Sequence, residues 1–464
     1  MDTSSPYFFC GIGGSGMLPL ALILKARGAA VSGSDRALDQ GRTAQKFDYL
    51  RARGVTLFAQ DGSGVTSKDQ IVVTSAAVEA TIPDVQAANR VGAKLMTRAE
   101  LLAQLFNAAY ESIGIAGTSG KSTVTGMTGW ILAQTGRDPT IMNGAVMKDL
   151  VSATEPFASA RVGKTGVFVS EVDESDGSIA LYSPHVAVVN NISLDHKSME
   201  ELRALFTAFV GKAKVAVLNL DNDETALLAE RLPAEKKITY SFTAKADLRA
   251  EGFTPRPDGI TFDLVTVSAS PRLRVNLLVP GKHNVANALA AIAAAMAIGV
   301  SPTDAARAIE TFSGVKRRLE TVGTKNGITV IDDFAHNPDK ITATLATLHD
   351  FPGRLLIMFQ PHGFGPLKKM GKEFIETFAT QLSPHDVLIM PDPVYFGGTT
   401  DKSVSSIDIV NGVKARGREA LRFETRDECG RKLIELAKPG DRIVVMGARD
   451  DTLSTFAADV LGRL

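Results

Sequence analysis

The sequence predicts an α/β protein of three domains, each built on a mainly parallel sheet. Three observations support that class. The chain has 464 residues, too many for one ordinary domain and enough for about two to four. Short apolar runs alternate with helical patterns almost throughout, and strands alternating with helices mean βαβ units. The alternation falls into three series, and the first two carry glycine-rich turns set between a strand and a helix.

Composition excludes several function classes. Hydrophobic residues make 44% and charged residues 22% of the chain, so there is ample material for cores. Lys plus Arg and Asp plus Glu both count 51, which argues against a nucleic-acid partner, since such proteins carry a basic excess. Cys10 and Cys429 are the only cysteines and form no CxxC, as expected in a reducing compartment. No stretch reads as a signal peptide or approaches the roughly 18 apolar residues of a membrane span. The expected setting is cytoplasmic, with no membrane partner.

The first series, over 1–108, contains "YFFCGI", "AAVSGSD", "QIVVTSAAV" and "AKLMTR" as strands. Its opening strand leads into G-x-G-x-x-G at Gly11, Gly13 and Gly16, with Gly14 and Ser15 inside the turn. The next strand ends at Ser34 and Asp35. Read alone, this is a dinucleotide fingerprint, with a pyrophosphate on a helix N-terminus and an acid for a ribose. An NAD-dependent oxidoreductase is therefore one reading.

The second series, over 109–318, begins at "SIGIAGTSGKSTVTG". Gly117, Thr118, Ser119, Gly120, Lys121, Ser122 and Thr123 form a phosphate-binding loop between a strand and a helix. Lys121 is placed to reach terminal phosphates and Ser122 to put a hydroxyl on Mg²⁺. Ile115 stands where the first glycine of the full phosphate-loop pattern belongs. The acidic turn "EVDESDGS" supplies Glu171, Asp173, Glu174 and Asp176, and "NNISLDH" adds Asn190, Asn191, Asp195 and His196. So many acids in one turn call for a cation, and Mg²⁺ takes few carboxylates plus phosphate and water oxygens. The Pro- and Gly-broken stretch before "GKHNVANALAAIAAAM" predicts antiparallel hairpins added to this sheet, followed by an Ala-rich helix closed by Gly299. The third series, over 319–464, runs through "ITVIDDFAHNP", "GRLLIMFQP", "HDVLIMPDP" and "DRIVVMGAR".

"GTSGKST", "EVDESDGS", "NNISLDH", "GKHNVANALAA", "RRLE" and "IDDFAHNP" occur in the order and rough spacing of the Mur ligases, and the chain resembles that family over nearly its whole length. The opening G-I-G-G-S-G-M with "VSGSD" is similar to members that add L-alanine to UDP-N-acetylmuramate, and to recycling members that add a tripeptide. The resemblance implies a Rossmann-like UDP-sugar domain, a central ATP-binding domain and a Rossmann-like acceptor domain. It implies an ATP-dependent ligase of peptidoglycan precursor synthesis that uses ATP and Mg²⁺, acting as a monomer or homodimer. ATP phosphorylates the lactyl carboxylate, and an amine then displaces phosphate from the acyl phosphate. L-alanine is the leading acceptor, and a tripeptide or another acceptor the alternative.

By the same resemblance Lys121, Glu171 and His196 are catalytic, with Ser122, Glu171 and His196 at magnesium. Asn287, Arg318 and Asp332 join the loop 117–123 around ATP, with His283 and Asn284 near Asn287. Gly11, Gly13, Gly14, Ser15, Gly16, Ser34 and Asp35 hold the UDP-sugar, so the first glycine turn belongs to its diphosphate. His336, Asn337 and His362 face the acceptor. Lys212 or Lys214 would be the candidate for a carbamylated lysine, and "FSGVKRRLE", with Gly314, is the expected hinge between domains. The sequence departs from the family at "FQPHGFGP", where Gly363 to Pro366 stand in place of the arginines that hold an amino acid's carboxylate. Ser119, Asn337 and "GARDD" are further departures. A changed acceptor pocket is expected.

Overall fold

The computed structural model describes residues 4–75, 78–194, 197–267, 269–394, 403–448, 450 and 452–464. Three sheets stand where three series of strands are expected. The first contains β1 (Tyr7–Cys10), β2 (Val31–Ser34), β3 (Thr56–Phe58), β4 (Ile71–Thr74) and β5 (Lys94–Thr97), in the order β3-β2-β1-β4-β5. Every pairing is parallel. The order reverses between β1 and β4, and such a reversal opens a crevice at the carboxyl ends of the strands.

The second sheet has ten strands: β6 (Glu111–Ala116), β7 (Thr140–Met142), β8 (Ala160–Arg161), β9 (Val167–Glu171), β10 (Val186–Val189), β11 (Val215–Asn219), β12 (Lys237–Ser241), β13 (Leu248–Arg256), β14 (Gly259–Thr266) and β15 (Ala269–Leu277). Its order is β15-β14-β13-β12-β11-β10-β6-β9-β7-β8. The middle strands read as nearly continuous Val, Ile and Ala runs because both faces are covered. β13, β14 and β15 extend one edge, as expected. Only Pro257 and Asp258 separate β13 from β14, a connection that an antiparallel hairpin alone permits. The Ala-rich helix Lys282–Met296 is buried along most of its length, and Gly299, at φ 84°, follows it. The methyl side chains let it pack closely at little entropic cost.

The third sheet holds β16 (Glu320–Lys325), β17 (Ile328–Asp333), β18 (Leu355–Gln360), β19 (Val387–Met390), β20 (Glu419–Arg422) and β21 (Arg442–Gly447), in the order β16-β17-β21-β18-β19-β20. β16 is antiparallel to β17, and the other pairs are parallel.

By compactness the chain forms two units. One is Met1–Phe253, Thr261–Leu278 and Asn284–Ser313, and the other is Thr254–Ile260, Val279–His283 and Gly314–Leu464. Within the first unit one apolar core runs from Tyr7 and Phe9 through Leu101 and Phe106 to Phe168, Tyr182 and Phe206. Phe106 meets Phe168 and Tyr182 edge-on, with ring centroids 6.0 and 5.2 Å away. The helix Arg98–Asn107, which ends just before the expected boundary at 108, thus joins the first two sheets through a shared core. Gly314, at φ 109°, begins the last and longest segment of the second unit, called the C-terminal unit below. Among the described residues no helix is long and apolar enough to cross a membrane.

Candidate active site around two glycine loops

The second loop is built as the motif predicts. β6 ends at Ala116, and the helix Lys121–Gln134 starts at once after Gly120. Gly117 and Gly120 have φ of 129° and 82°, backbone that favours glycine. Among the described residues nothing accepts from the amides of Gly120 and Lys121, so the helix presents free donors to an anion. The amides of Thr118 and Ser119 are spent on "NNIS". Thr118 N donates to Asn191 O (3.1 Å) and Ser119 N to Asn191 Oδ1 (2.9 Å). The Thr118 hydroxyl also donates to Asn191 Oδ1, at 2.8 Å. Asn191 is therefore the brace of the loop, a role unassigned at the sequence level although the residue lies just two positions past the end of β10.

Sheet register brings the acidic turn to the same edge. Ile115 on β6 pairs with Glu171 on β9, and Ala116 pairs with Val189 on β10. Glu171 accepts the Gly144 amide at 2.6 Å through Oε1. The carboxylate that meets Lys121 is instead Glu174, which receives Lys121 Nζ at 2.9 and 3.2 Å. Lys121 also donates to Gly117 O at 2.7 Å. The Glu174 side chain is 3% exposed. Burial works against the Lys121 ammonium, but Glu174 outweighs it and raises the lysine above its ordinary range. Glu174 thus belongs to the site beside Lys121. Its signal was present in the acid-rich turn, but spacing alone could not choose among four acids.

A magnesium ion fits the donors here. Ser122, at the first turn of the helix, and Glu171, at the end of β9, offer hard oxygen ligands, and Mg²⁺ needs only one or two carboxylates beside phosphate and water. His196 and Asp195 lie outside the described residues. Lys212 Nζ donates to Ala180 O at 2.6 Å and lies exposed.

Asn287 reaches the loop across a long stretch of sequence. A Cβ on Gly120 would stand 2.6 Å from Asn287 Oδ1 and 3.0 Å from Asn190 Nδ2, so any side chain there would have to displace Asn287. Asn287 Nδ2 donates to Asn284 Oδ1 (3.1 Å). That leaves the Asn287 oxygen to accept and fixes the orientation of the amide. His283 falls in the C-terminal unit, near the Thr347 hydroxyl.

The first glycine loop uses different fastenings. Gly11 N and Ile12 N both donate to Ser34 O, at 2.8 and 2.9 Å. Gly13 N donates to Asp35 Oδ2 and Ala37 N to Asp35 Oδ1, both at 2.8 Å. Asp35 therefore closes the loop with one oxygen and caps a short helix with the other. Ser34 is fully buried, and its hydroxyl donates to Asp84 at 2.5 Å. Gly14 and Ser15 are exposed. No described residue accepts from the amides of Ser15 and Gly16, which stand at the start of the helix Met17–Ala26.

In the C-terminal unit the structure separates the expected residues. Asp332, expected at a ribose, is fully buried, with Oδ1 on Arg317 Nε (3.3 Å) and Oδ2 on the Ser454 hydroxyl (2.7 Å). Arg317 is the buried arginine. Its guanidinium also donates to Gly447 O and Asp450 O, and its backbone has φ 60°. Arg318 stacks its guanidinium 4.3 Å from the centre of the Phe334 ring. His336 and His362, from the ends of β17 and β18, do come together, with rings 5.4 Å apart. His336 Nδ1 lies 2.8 Å from Phe334 O, so Nδ1 carries the proton and Nε2 is left to accept. Burial drives the His336 imidazole down to about 3. Asn337 caps the helix Pro338–His349 through the Lys340 amide, at 3.0 Å. In "GARDD", Asp450 accepts from Gln360 and Arg426 at 2.8 and 3.0 Å, a partnership that sequence could not show.

Family models match in three consecutive pieces: Mur ligase family, catalytic domain, over 6–110; Mur ligase middle domain over 115–295; and Mur ligase, glutamate ligase domain, over 317–449. A UDP-N-acetylmuramate--L-alanine ligase of Novosphingobium aromaticivorans is 35% identical over 98% of this chain and 96% of its own. That of Geobacter sulfurreducens is 36% identical over 95% and 94%. The crystal structure of UDP-N-acetylmuramate-alanine ligase MurC from Thermotoga maritima shares the fold, with TM-score 0.79, 24% identity and 99% of both chains covered. A murein peptide ligase from Psychrobacter arcticus has TM-score 0.71, with 25% identity and 99% of both chains covered.

Proposed function

The chain belongs to the Mur ligase family, and we propose that it joins the lactyl carboxylate of UDP-N-acetylmuramate to the amino group of an acceptor, L-alanine first, at the expense of ATP. The observation that carries this reading is the pair of helix-opening glycine loops, one with Lys121 seated on buried Glu174 and one without a lysine of its own. Two phosphate sites of unlike chemistry suit a nucleotide-sugar donor and a phosphoryl donor. An NAD enzyme would leave the second unused.

A carboxylate repels an incoming amine and has no good leaving group, so it must be activated. A carboxylate oxygen of the donor attacks the γ-phosphorus of ATP, and ADP leaves. Catalysis of that transfer is mostly positioning and charge neutralisation. Lys121 and the free amides of Gly120 and Lys121 supply positive ends at the phosphates. Ser122 and Glu171 would hold Mg²⁺, which when bound shields the phosphate charge, and His196 is carried as a third ligand by family pattern. The Asn287 oxygen accepts from the amino group of adenine. The acceptor's amine then attacks the acyl carbon, phosphate departs, and the amine gives up a proton. Neutral His336, with Nε2 open to accept, and His362 beside it orient that amine. Arg318 is kept as a nucleotide contact, whereas Asp332 is reassigned to holding Arg317. Two free buried cysteines suit a reducing cytoplasm.

The test is direct. Purified protein receives UDP-N-acetylmuramate and MgATP with a panel of amino acids and the tripeptide, and phosphate release is followed together with product. Ligation that needs both the donor and an amine is expected. Phosphate release indifferent to the donor would overturn the proposal. Preference for L-alanine over every other acceptor would show that Gly363 to Pro366 leave the pocket unchanged in effect.

A further inference from the structure

We propose that Asp84 is a positioning residue for the UDP-sugar loop, acting through the ends of β1 and β2 without touching the donor; this rests on the functional reading above. Asp84 belongs to the helix Pro83–Val91, which connects β4 to β5, so it enters from the strand across the reversal in sheet order. It is fully buried. One oxygen, Oδ2, takes the Ser34 hydroxyl at 2.5 Å and faces the Cys10 thiol at 3.7 Å. The other, Oδ1, takes the Gly62 amide at 2.9 Å. A single carboxylate therefore ties together the last residue of β1, the last residue of β2 and the turn after β3.

Those are the places from which the glycine loop hangs. Cys10 is followed directly by Gly11, and the Ser34 carbonyl holds the Gly11 and Ile12 amides. Asp35, next to Ser34, holds the Gly13 amide. Fixing Ser34 from behind thus fixes three successive loop amides, and it leaves the Ser15 and Gly16 amides without a described acceptor. A carboxylate is worth burying here because the sites it joins come from three separate strands, and an isolated buried acid without such donors would be costly. Burial raises the Asp84 carboxyl above the usual carboxylate range, while its donors pull the other way. The Cys10 thiol is pushed up to about 12, so it acts here as a buried neutral contact.

The test is titration of UDP-N-acetylmuramate into wild-type protein and variants by calorimetry, with KM values for donor and ATP alongside. Asp84→Ala is expected to weaken donor binding and raise donor KM about tenfold or more, with ATP KM changed less than twofold. Asp84→Asn should recover most of that, because its oxygen keeps the Gly62 bond and its nitrogen can donate to the Ser34 hydroxyl. If Asp84→Ala does not fold, Ser34→Ala decides, with a several-fold loss in donor affinity alone expected. Unchanged donor affinity in the folded variants, or equal losses for donor and ATP, would overturn the role of Asp84. Wild-type protein that binds no donor would instead sink the functional reading and this role with it.

Discussion

The two glycine loops invite comparison because they share one geometry and differ in charge. Each follows a parallel strand, opens a helix and leaves two consecutive amides without a described acceptor. The first is braced by a carbonyl and by the carboxylate of Asp35. The lysine near it, Lys46, comes from a later helix and donates to Gly13 O at 3.1 Å. The second is braced by the neutral side chain of Asn191 and carries its own lysine, matched by buried Glu174. A diphosphate that is only held needs dipoles. A phosphoryl group that is transferred needs full charge where charge develops, and supplying it is the role proposed for Lys121.

The comparison breaks first at Lys121. Lys121→Ala should lower kcat by about 10²–10³ or more, the scale of losing one aligned charge-stabilising donor, with donor affinity intact; product formation at wild-type rate would end the assignment. Next is Glu174→Ala. Removing one member of a buried ion pair costs about 3–5 kcal/mol, so the midpoint of urea unfolding should fall clearly and recover partly with MgATP, whose phosphates replace the lost partner. Asp35→Asn, tested in the same way, should move the midpoint far less.

Glycine substitutions sharpen the contrast further. Gly120→Ala places a Cβ 2.6 Å from Asn287 Oδ1 at φ 82°, so ATP KM should rise strongly. Gly11→Ala has the same φ of 82° but open space around the new carbon, leaving only the left-handed strain of about 1–2 kcal/mol. Equal kinetic effects of the two would mean that Asn287 is not seated as described. A separate effect, read only through pH, concerns His336 in the C-terminal unit. Its folded value lies below the unfolded one, so its contribution to stability is full above about pH 6.5 and is lost as pH falls toward about 3. Across that window each pH unit costs at most about 1.4 kcal/mol, and His336→Gln should flatten the acid limb of a stability profile.

Legibility followed the range of the interaction. The loops 11–16 and 117–123 were readable because strand, turn, glycine and helix are consecutive. The Ala-rich helix and the added hairpin were readable from period and punctuation. Glu174 was visible as one acid of four, but only folding seats it on Lys121. Asp332 and Arg318 were chosen by pattern, yet the chain buries Asp332 and Arg317 together and leaves Arg318 on Phe334. No local signal distinguishes two adjacent arginines, because the choice depends on which one the chain turns inward, and both adjacent aspartates end up buried on different partners.

By itself the sequence determined the class of the three sheets, the two glycine loops between strand and helix, and the family. These depend on backbone chemistry and period, which short stretches carry in full. Only the tertiary structure decided which carboxylate meets Lys121, that Asn191 and Asn287 converge on the second loop, that Asp84 stands behind the first, and that one core joins the first two sheets. Those choices depend on which distant side chains a shared interior brings within hydrogen-bonding reach, and burial makes each such partner obligatory.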